Sequence, residues 1–478
     1  MSIMFILSKK TLFLRTMRQI IIKFGPFITI GVLLFMLGAL HFGWLNVFFF
    51  GAERAQVQGI DYFAVPKSFI NLTEGRSVFD TWGGTPYGPH ATWYLAHPAF
   101  SVFVAGWFSF FSPWISYWVF TLFSVIVMFL AAWTISKQTD DRFTKNILYF
   151  TFLCAFPTFW MLYVGNMHAP LILALSLLFV GVYELTYSDP EAGSKKIFWG
   201  LLLSFFTKPI VLLMLPVLLL VKETRKTTLR CLLIYAVVSL LFIVVPFLNP
   251  QSIGWNKMLD VMFDFDFIKS NMNIFKNNFV LNEYMKDNSI HWLNLIAQSD
   301  HKLMHIDVFS LPVFIDTLLG HEVRATFFKI PIYFSLLVSF FVPFIEDKKL
   351  RLESLLLLLI TISLTFFLSY NTVWEYQYAS ILPVLGIFFI LKKENVFYLK
   401  SLNVLMFVSL VVCLPSLYFV VRASDCNSVE SLSMIRLTRV LPVLIIFLIS
   451  AYQLVHVLRK NIRSVKPSFP KVEKLFFD

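Results

Sequence analysis

Long runs of apolar residues, separated by short polar or basic segments, dominate this 478-residue chain. A helix needs about 20 apolar residues to cross the hydrocarbon core of a bilayer. By that length the pattern predicts about twelve membrane-spanning helices, with eleven or thirteen as alternatives because several runs are short or contain proline. We therefore predict an all-α polytopic membrane protein that forms a single domain over residues 1–478. The predicted spans lie near 25–50, 91–112, 114–136, 147–164, 169–187, 197–221, 231–247, 331–345, 353–370, 379–391, 401–421 and 440–458.

The distribution of lysine and arginine predicts which segments face the cytoplasm, because cytoplasmic loops of membrane proteins are enriched in these residues. If the N-terminus is inside, the twelve-span arrangement places the basic loops and the basic C-terminal tail on the same side. Both termini are therefore predicted to be cytoplasmic. The other inner segments are 222–230, 348–351 and 392–400.

One loop and one turn fit this arrangement poorly. Residues 136–146 are placed outside although they contain three basic residues, and Gly165 is placed at the inner side. A re-entrant pair formed by 147–164 and 169–187 is the alternative to two full spans. It would keep the later loops on their predicted sides and would let the turn at Gly165 lie within the membrane.

Two polar segments are too long to be turns, and both are predicted to face outside. The first covers residues 51–90 and the second covers residues 248–330. The second contains amphipathic helical stretches of the kind that lie along a membrane surface. We see no linker or internal repeat that would indicate a separate domain.

Composition and charge agree with a membrane protein and exclude several other classes. Hydrophobic residues make up 58% of the chain and charged residues 14%, whereas soluble proteins have roughly 25% charged residues. The net charge of +12 is concentrated in the two tails, and no basic stripe with interleaved aromatic residues is present to bind nucleic acid. The four cysteines have no paired spacing, so neither a disulfide framework nor a zinc site is predicted.

Two charged residues stand out against the apolar background. Asp61 follows the first predicted span closely, and partial desolvation at the membrane interface makes a carboxylate a better base. A solvated loop acid is the simpler alternative. Lys208 lies inside an apolar run, where an ammonium group costs roughly 2.5–3.5 kcal/mol. Such a group pairs with an anion, lines a cavity or extends towards the membrane surface.

Two polar interruptions add further candidates. Asn166 and His168 lie between two apolar runs, where polar groups need partners within the protein; a helix-breaking turn is the simpler explanation. Glu375 lies between Trp374 and Tyr376, and such rings can stack on a sugar. Anchoring of the rings at the lipid headgroups is the alternative.

Taken in chain order, these residues resemble the motifs of the GT-C glycosyltransferases that use polyprenyl-phosphate sugars. The most similar branch is glycosyltransferase family 87, the alpha-1,2-mannosyltransferase-like group. Its first loop reads D-x-x-V-Y followed by L-x-x-G-x-x-L-Y-D, and its later motifs are Y-x-P, G-N/Q-x-N, L-K-P and W-D/E-H. The similar segments here are Asp61-Tyr62-Phe63, Glu74-Gly75, Phe79-Asp80, Tyr87-Gly88-Pro89, Gly165-Asn166, Thr207-Lys208-Pro209 and Trp374-Glu375-Tyr376.

The resemblance implies a membrane glycosyltransferase that moves a hexose, with mannose favoured, from a polyprenyl-phosphate donor. The implied acceptor is a hydroxyl of an extracytoplasmic glycan or glycolipid in the cell envelope, and the displacement inverts the anomeric centre. Asp61 would be the general base. No cofactor is implied, although a divalent cation is left open. The residues implied to bind the donor phosphate are Lys208, Asn166 and His168, and those implied to bind sugar or acceptor are Glu375, Trp374, Tyr376 and His90.

Three positions depart from the family's pattern. His168 replaces a frequent asparagine, Tyr376 replaces a frequent histidine, and His90 stands where a second proline is common. These departures bear on which sugar and acceptor are used more than on the fold.

A secondary transporter or a flippase for lipid-linked sugars is the alternative function. About twelve spans and an intramembrane lysine also suit that class, although its members usually contain repeated halves. The predicted location is the inner membrane of a bacterium, with the endoplasmic reticulum as the alternative. The lipid bilayer is a predicted partner and nucleic acid is not.

Overall fold

The structure is helical apart from one short β-hairpin in the residues that it describes. This computed structural model describes residues 2–44, 58–248, 309–419 and 429–464, with short gaps inside the second and third ranges. Most of the predicted outer segment 248–330 lies outside the described residues, as do parts of the segment 51–90. Within these limits the helical fold class is confirmed.

The helices and strands are numbered here in chain order. They are α1 Ser2–Phe42, α2 Ala64–Thr73, β1 Gly83–Thr85, β2 Gly88–Ala91, α3 Pro98–Phe100, α4 Pro113–Ser136, α5 Arg142–Cys154, α6 Phe156–Val164, α7 His168–Tyr187, α8 Pro190–Phe206, α9 Leu215–Leu220, α10 Lys222–Leu248, α11 Leu311–Leu319, α12 Ala325–Phe328, α13 Ile330–Phe341, α14 Lys348–Ser369, α15 Leu382–Leu391, α16 Leu399–Val412 and α17 Val429–Ser464. A π-helical turn covers Ser101–Ala105, and 3-10 helices cover Gly106–Phe110, Pro209–Met214, Val342–Phe344, Glu375–Ile381 and Leu417–Phe419. The two strands are antiparallel, with Gly83 opposite Ala91 and Thr85 opposite Gly88.

Within the described ranges, six helical segments are long and apolar enough to cross a membrane. Four more apolar segments are shorter. The apolar helical character expected of a membrane protein is therefore confirmed, while twelve spans stay a prediction. The six long segments are Thr16–Phe42, Pro113–Ser136, Arg142–Val164, His168–Tyr187, Lys348–Ser369 and Ser433–Arg459, and the four shorter ones are Ile210–Leu220, Ile330–Phe344, Glu375–Leu391 and Ser401–Val412.

Two predicted spans differ from the structure for local reasons. The span predicted at 91–112 is a series of short helical turns, and one of them begins at Gly106, a residue type that weakens a continuous helix. The span predicted at 440–458 is too short, because α17 begins at Val429. Hydropathy excluded the start of α17 because Arg436 and Arg439 are costly in hydrocarbon unless they are paired.

Two helices form the centre of the assembly. Within the most apolar 18-residue stretch of each helix, 94% is buried inside the protein in α14 and 83% in α7, compared with 17% in α1. A helix that is apolar on all sides belongs inside a bundle. The exposed apolar side chains of α1, such as Phe27 and Leu34, are instead placed to meet lipid.

Close packing of α7 on α8 sets the position of the candidate site. The two helices form an antiparallel hairpin in which small residues let the backbones approach each other. A Cβ atom added to Gly193 would lie 2.6 Å from the Gly181 carbonyl oxygen, and one added to Gly200 would lie 2.7 Å from the Ala174 carbonyl oxygen. The beginning of α7 and the end of α8 therefore lie at the same end of the hairpin.

Candidate functional site

The C-terminal end of α6 holds the segment that carries Asp61. The last carbonyl groups of a helix have no partner within the helix. Here the Gly59 N–H donates to the Tyr163 carbonyl at 2.8 Å, and the Asp61 N–H donates to the Val164 carbonyl at 2.9 Å. The next side chain, Tyr62, is fully buried, and burial raises its pKa, so it stays neutral. Asp61 itself is only partly buried.

The turn after α6 places Asn166 beside Asp61. The Gly165 N–H donates to the Leu162 carbonyl at 3.2 Å, and the Asn166 N–H donates to the Met161 carbonyl at 3.1 Å. This pair of bonds, with Gly165 at φ 70°, is the Schellman motif, which requires the left-handed conformation that glycine adopts readily. The polar interruption noted in the sequence is therefore a helix C-cap.

Replacing Gly165 with alanine is expected to destabilise the protein more than the same change at Gly320. Both glycines end a helix in the left-handed conformation, which costs other residues roughly 1–2 kcal/mol. A Cβ at Gly320 meets nothing within 4 Å, whereas one at Gly165 lies 2.4 Å from Cβ of Tyr62. Overpacking adds roughly 1–3 kcal/mol. The unfolding free energies of the two purified variants, measured against wild type, check this; equal losses would show that the Tyr62 contact is easily relaxed.

Lys208 occupies a break between two helices. Helix α8 ends at Phe206, and Pro209 begins the next 3-10 helix. The Lys208 backbone between them is extended, with φ −132° and ψ 109°, and its carbonyl accepts a 2.6 Å hydrogen bond from the Ser204 hydroxyl. The break points the lysine side chain away from the helix series and towards the start of α7.

A continuous set of hydrogen bonds joins four side chains at this point. The Asn166 amide nitrogen donates to Oδ2 of Asp61 at 2.6 Å. The Lys208 ammonium donates to the Asn166 amide oxygen at 2.8 Å and lies 3.1 Å from Nδ1 of His168. Because an ammonium group can only donate, Nδ1 is the acceptor and the imidazole proton is on Nε2. One amide therefore connects the predicted base to the predicted phosphate-binding cation.

Tyr376 completes the surroundings of Lys208. The Lys208 ammonium lies 5.6 Å from the centre of the Tyr376 ring, within the range of a cation–π contact. The His168 and Tyr376 rings meet edge to face, with their centres 5.9 Å apart. His168 is fully buried, and its Nε2 has no hydrogen-bond partner within the described part of the chain.

Glu375 turns away from this group and pairs with Arg439. Nε of Arg439 donates to Oε2 of Glu375 at 3.0 Å, and Nη2 donates to Oε1. Both side chains are 1% exposed. The structure thus brings together Asp61, Asn166, Lys208, His168 and Tyr376, but engages the Glu375 carboxylate elsewhere.

Two other predicted site residues are Trp374 and His90. Trp374 is half-buried, and its backbone N–H donates to the Gln377 side-chain oxygen at 2.8 Å. His90 lies on β2, and the placement of its side chain is outside what the structure describes. Arg439 is not among the residues predicted from the sequence, because the last span was predicted to begin one residue later. Two arginines at a three-residue spacing beside an apolar run were the available signal.

Comparison with protein-family models, curated proteins and solved structures finds no match for this chain.

Proposed function

We propose that this protein is a membrane glycosyltransferase that moves a hexose, with mannose favoured, from a polyprenyl-phosphate sugar to an extracytoplasmic acceptor hydroxyl. The observation that carries the proposal is the connection between the Asp61 carboxylate and the Lys208 ammonium through the single amide of Asn166. A base and a cation so close together suit a displacement in which a proton leaves one end and negative charge develops at the other.

The proposed step is an in-line displacement at the anomeric carbon. The acceptor oxygen forms a bond to that carbon while its proton passes to Asp61. The bond between the anomeric carbon and the phosphate oxygen breaks, and the polyprenyl phosphate leaves with the electron pair. Inversion follows because the acceptor attacks from the face opposite the leaving group.

Lys208 is proposed to offset the charge that grows on the leaving phosphate. An ammonium group has three N–H donors, and Asn166 and His168 accept two of them. The third is then directed at the donor phosphate, where a fixed cation in a site of low dielectric is most effective. The ammonium is also held in place before the donor arrives, so little reorganisation is needed.

The main proposed role of Asn166 and His168 is to hold the charged groups of Asp61 and Lys208 in place. The Asn166 amide orients the Asp61 carboxylate by donating to one of its oxygens and holds Lys208 with its own oxygen. His168 accepts from Lys208 through Nδ1, so only Nε2 can donate to a phosphate oxygen.

A secondary transporter or lipid-linked-sugar flippase is the second candidate. The helix break at Lys208 supports it, because transporters bind substrates at discontinuous helices within the membrane. This candidate predicts passage of substrate across a sealed membrane without consumption of a sugar donor.

One experiment in vesicles distinguishes the two functions. The purified protein is reconstituted into sealed vesicles and supplied with a radiolabelled polyprenyl-phosphate hexose and a mixture of envelope glycolipids. A transferase releases free polyprenyl phosphate and labels an acceptor in proportion to the protein present. If the labelled donor crosses the bilayer intact and no polyprenyl phosphate is released, the transferase proposal is wrong.

A further inference from the structure

Two buried arginines distinguish the last helix of the chain. Arg436 is 0% exposed and Arg439 is 1% exposed, and both lie in α17 within a segment apolar enough to span the membrane. A guanidinium in this environment is costly unless its donors are satisfied. Arg436 donates to the Thr317 hydroxyl of α11, whereas Arg439 reaches the segment that carries Tyr376.

Arg439 connects three parts of the structure. Its two-pronged pairing with Glu375 uses Nε and Nη2, an arrangement that fixes orientation as well as distance. In addition, Nη1 donates to the Val412 carbonyl at 2.9 Å, and Nη2 donates to the Leu414 carbonyl at 2.5 Å. Val412 is the last residue of α16, where carbonyl groups lack partners within the helix. Helix α17 therefore holds the end of α16 and the beginning of the 3-10 helix Glu375–Ile381 together.

Other contacts hold the same 3-10 segment on the side of Arg439. The guanidinium carbon lies 5.6 Å from the centre of the Tyr378 ring, and the Tyr378 hydroxyl donates to the Phe309 carbonyl at 2.6 Å. Successive side chains in a 3-10 helix point in directions about 120° apart. Because Glu375 points to Arg439, the next residue, Tyr376, is directed towards Lys208 and His168.

We propose that Arg439 is a positioning residue for the sugar-transfer reaction. By holding Glu375, it places the Tyr376 ring against Lys208 and His168 and so sets where the ammonium meets the leaving phosphate. This inference rests on the proposed transferase function. In this proposal Glu375 serves as the partner that Arg439 holds, in place of the direct sugar contact that the family resemblance implies.

Arg439→Lys and Arg439→Gln are the variants that test the inference, each measured for kcat and for donor KM per amount of folded protein. We expect Arg439→Lys to fold and to lose about 10-fold in kcat, since lysine keeps the charge but not the two-pronged geometry. Arg439→Gln is expected to lose about 100-fold, the scale of a misplacement of about 1 Å at a reacting group. Donor KM changes little in both, because the ground-state contacts remain.

Combination with Tyr376→Ala separates positioning from a general loss of stability. If Arg439 acts through Tyr376, adding Arg439→Lys to Tyr376→Ala lowers kcat no further than Tyr376→Ala alone. Additive losses overturn the inference. The matched control is Arg436→Lys, which changes a buried arginine one turn earlier on the same helix and is expected to keep the wild-type kcat; a loss equal to that of Arg439→Lys also overturns it.

Failure of this inference can be distinguished from failure of the proposed function. If wild type releases no polyprenyl phosphate, the transferase proposal fails. If wild type is active but the Arg439 and Tyr376 effects are additive, only the positioning role fails. A second readout is the binding of polyprenyl phosphate itself, by quenching of intrinsic tryptophan fluorescence. We expect Arg439→Lys to weaken this binding when Tyr376 is present but not in the Tyr376→Ala background. Free polyprenyl phosphate carries an additional negative charge that the donor phosphodiester lacks, so its binding depends on the placement of Lys208 even though donor KM does not.

Discussion

Replacing Asp61 with asparagine is expected to lower the rate of sugar transfer by roughly 10²–10⁴-fold, the usual contribution of a general base. The substitution keeps the shape of the side chain and retains an oxygen that can accept the 2.6 Å hydrogen bond from Asn166. It removes the negative charge of the carboxylate and, with it, the ability to take a proton from the acceptor hydroxyl. The measurement is release of polyprenyl phosphate and labelling of the acceptor in reconstituted vesicles, with folded protein quantified in each sample.

Asp140→Asn is the matched control for this experiment. Asp140 is an exposed carboxylate in the loop between α4 and α5, distant in the chain from the site, and its replacement is expected to leave the rate unchanged. Donor binding gives a further check, because Asp61→Asn is expected to retain it while turnover falls. Turnover within about twofold of wild type, a change far smaller than general-base catalysis supplies, would remove Asp61 from the base role.

Replacing Lys208 with methionine is expected to reduce kcat by roughly 10²–10³-fold, the effect of removing one group that stabilises charge in the transition state. Methionine has a similar length and no charge, so the packing around Asn166 and His168 is largely kept. The free energy of unfolding is not expected to fall much, because burial of the ammonium is itself unfavourable. A fall in kcat with little change in stability distinguishes a catalytic cation from a structural one.

Lys195→Met is the control for the loss of a positive charge. Lys195 lies near the start of α8 and forms an exposed ion pair with Glu191 at 2.6 Å, a type of contact that contributes little to stability. Its replacement is expected to leave both kcat and stability unchanged. If Lys208→Met instead raises donor KM and leaves kcat unchanged, the lysine binds the donor equally in ground and transition states, and its proposed role in catalysis is wrong.

The hydrophobic pattern was sufficient to predict the membrane class and the positions of most helices. Lipid offers no hydrogen bonds to the backbone, so a long apolar run has few alternatives to a helix. The hydrophobic pattern predicted the helix boundaries wrongly at two places. Around Gly106 the helix breaks into short turns, and at Val429 the helix begins earlier than hydropathy allowed, because Arg436 and Arg439 find partners that no local pattern shows.

Individual site residues could be found in the sequence, because a charged or amide side chain in an apolar run is conspicuous. Lys208 was identified in that way, Asn166 as a polar interruption between two apolar runs, and Asp61 by its position just after the first predicted span. Their assembly was decided by tertiary structure. The carbonyl groups at the end of α6 capture the Asp61 segment, and the glycine-lined contact between α7 and α8 brings Lys208 to the start of α7.

The sequence by itself determined that this chain is a helical membrane protein and which few polar residues need partners within it. Only the tertiary structure decided which residues those partners are. It joined Asp61 to Lys208 through Asn166. It also paired Glu375 with Arg439, which lies 64 positions later in the chain. The physical reason is that apolarity is a local property that each segment carries alone, whereas a hydrogen bond between distant segments depends on how the helices pack.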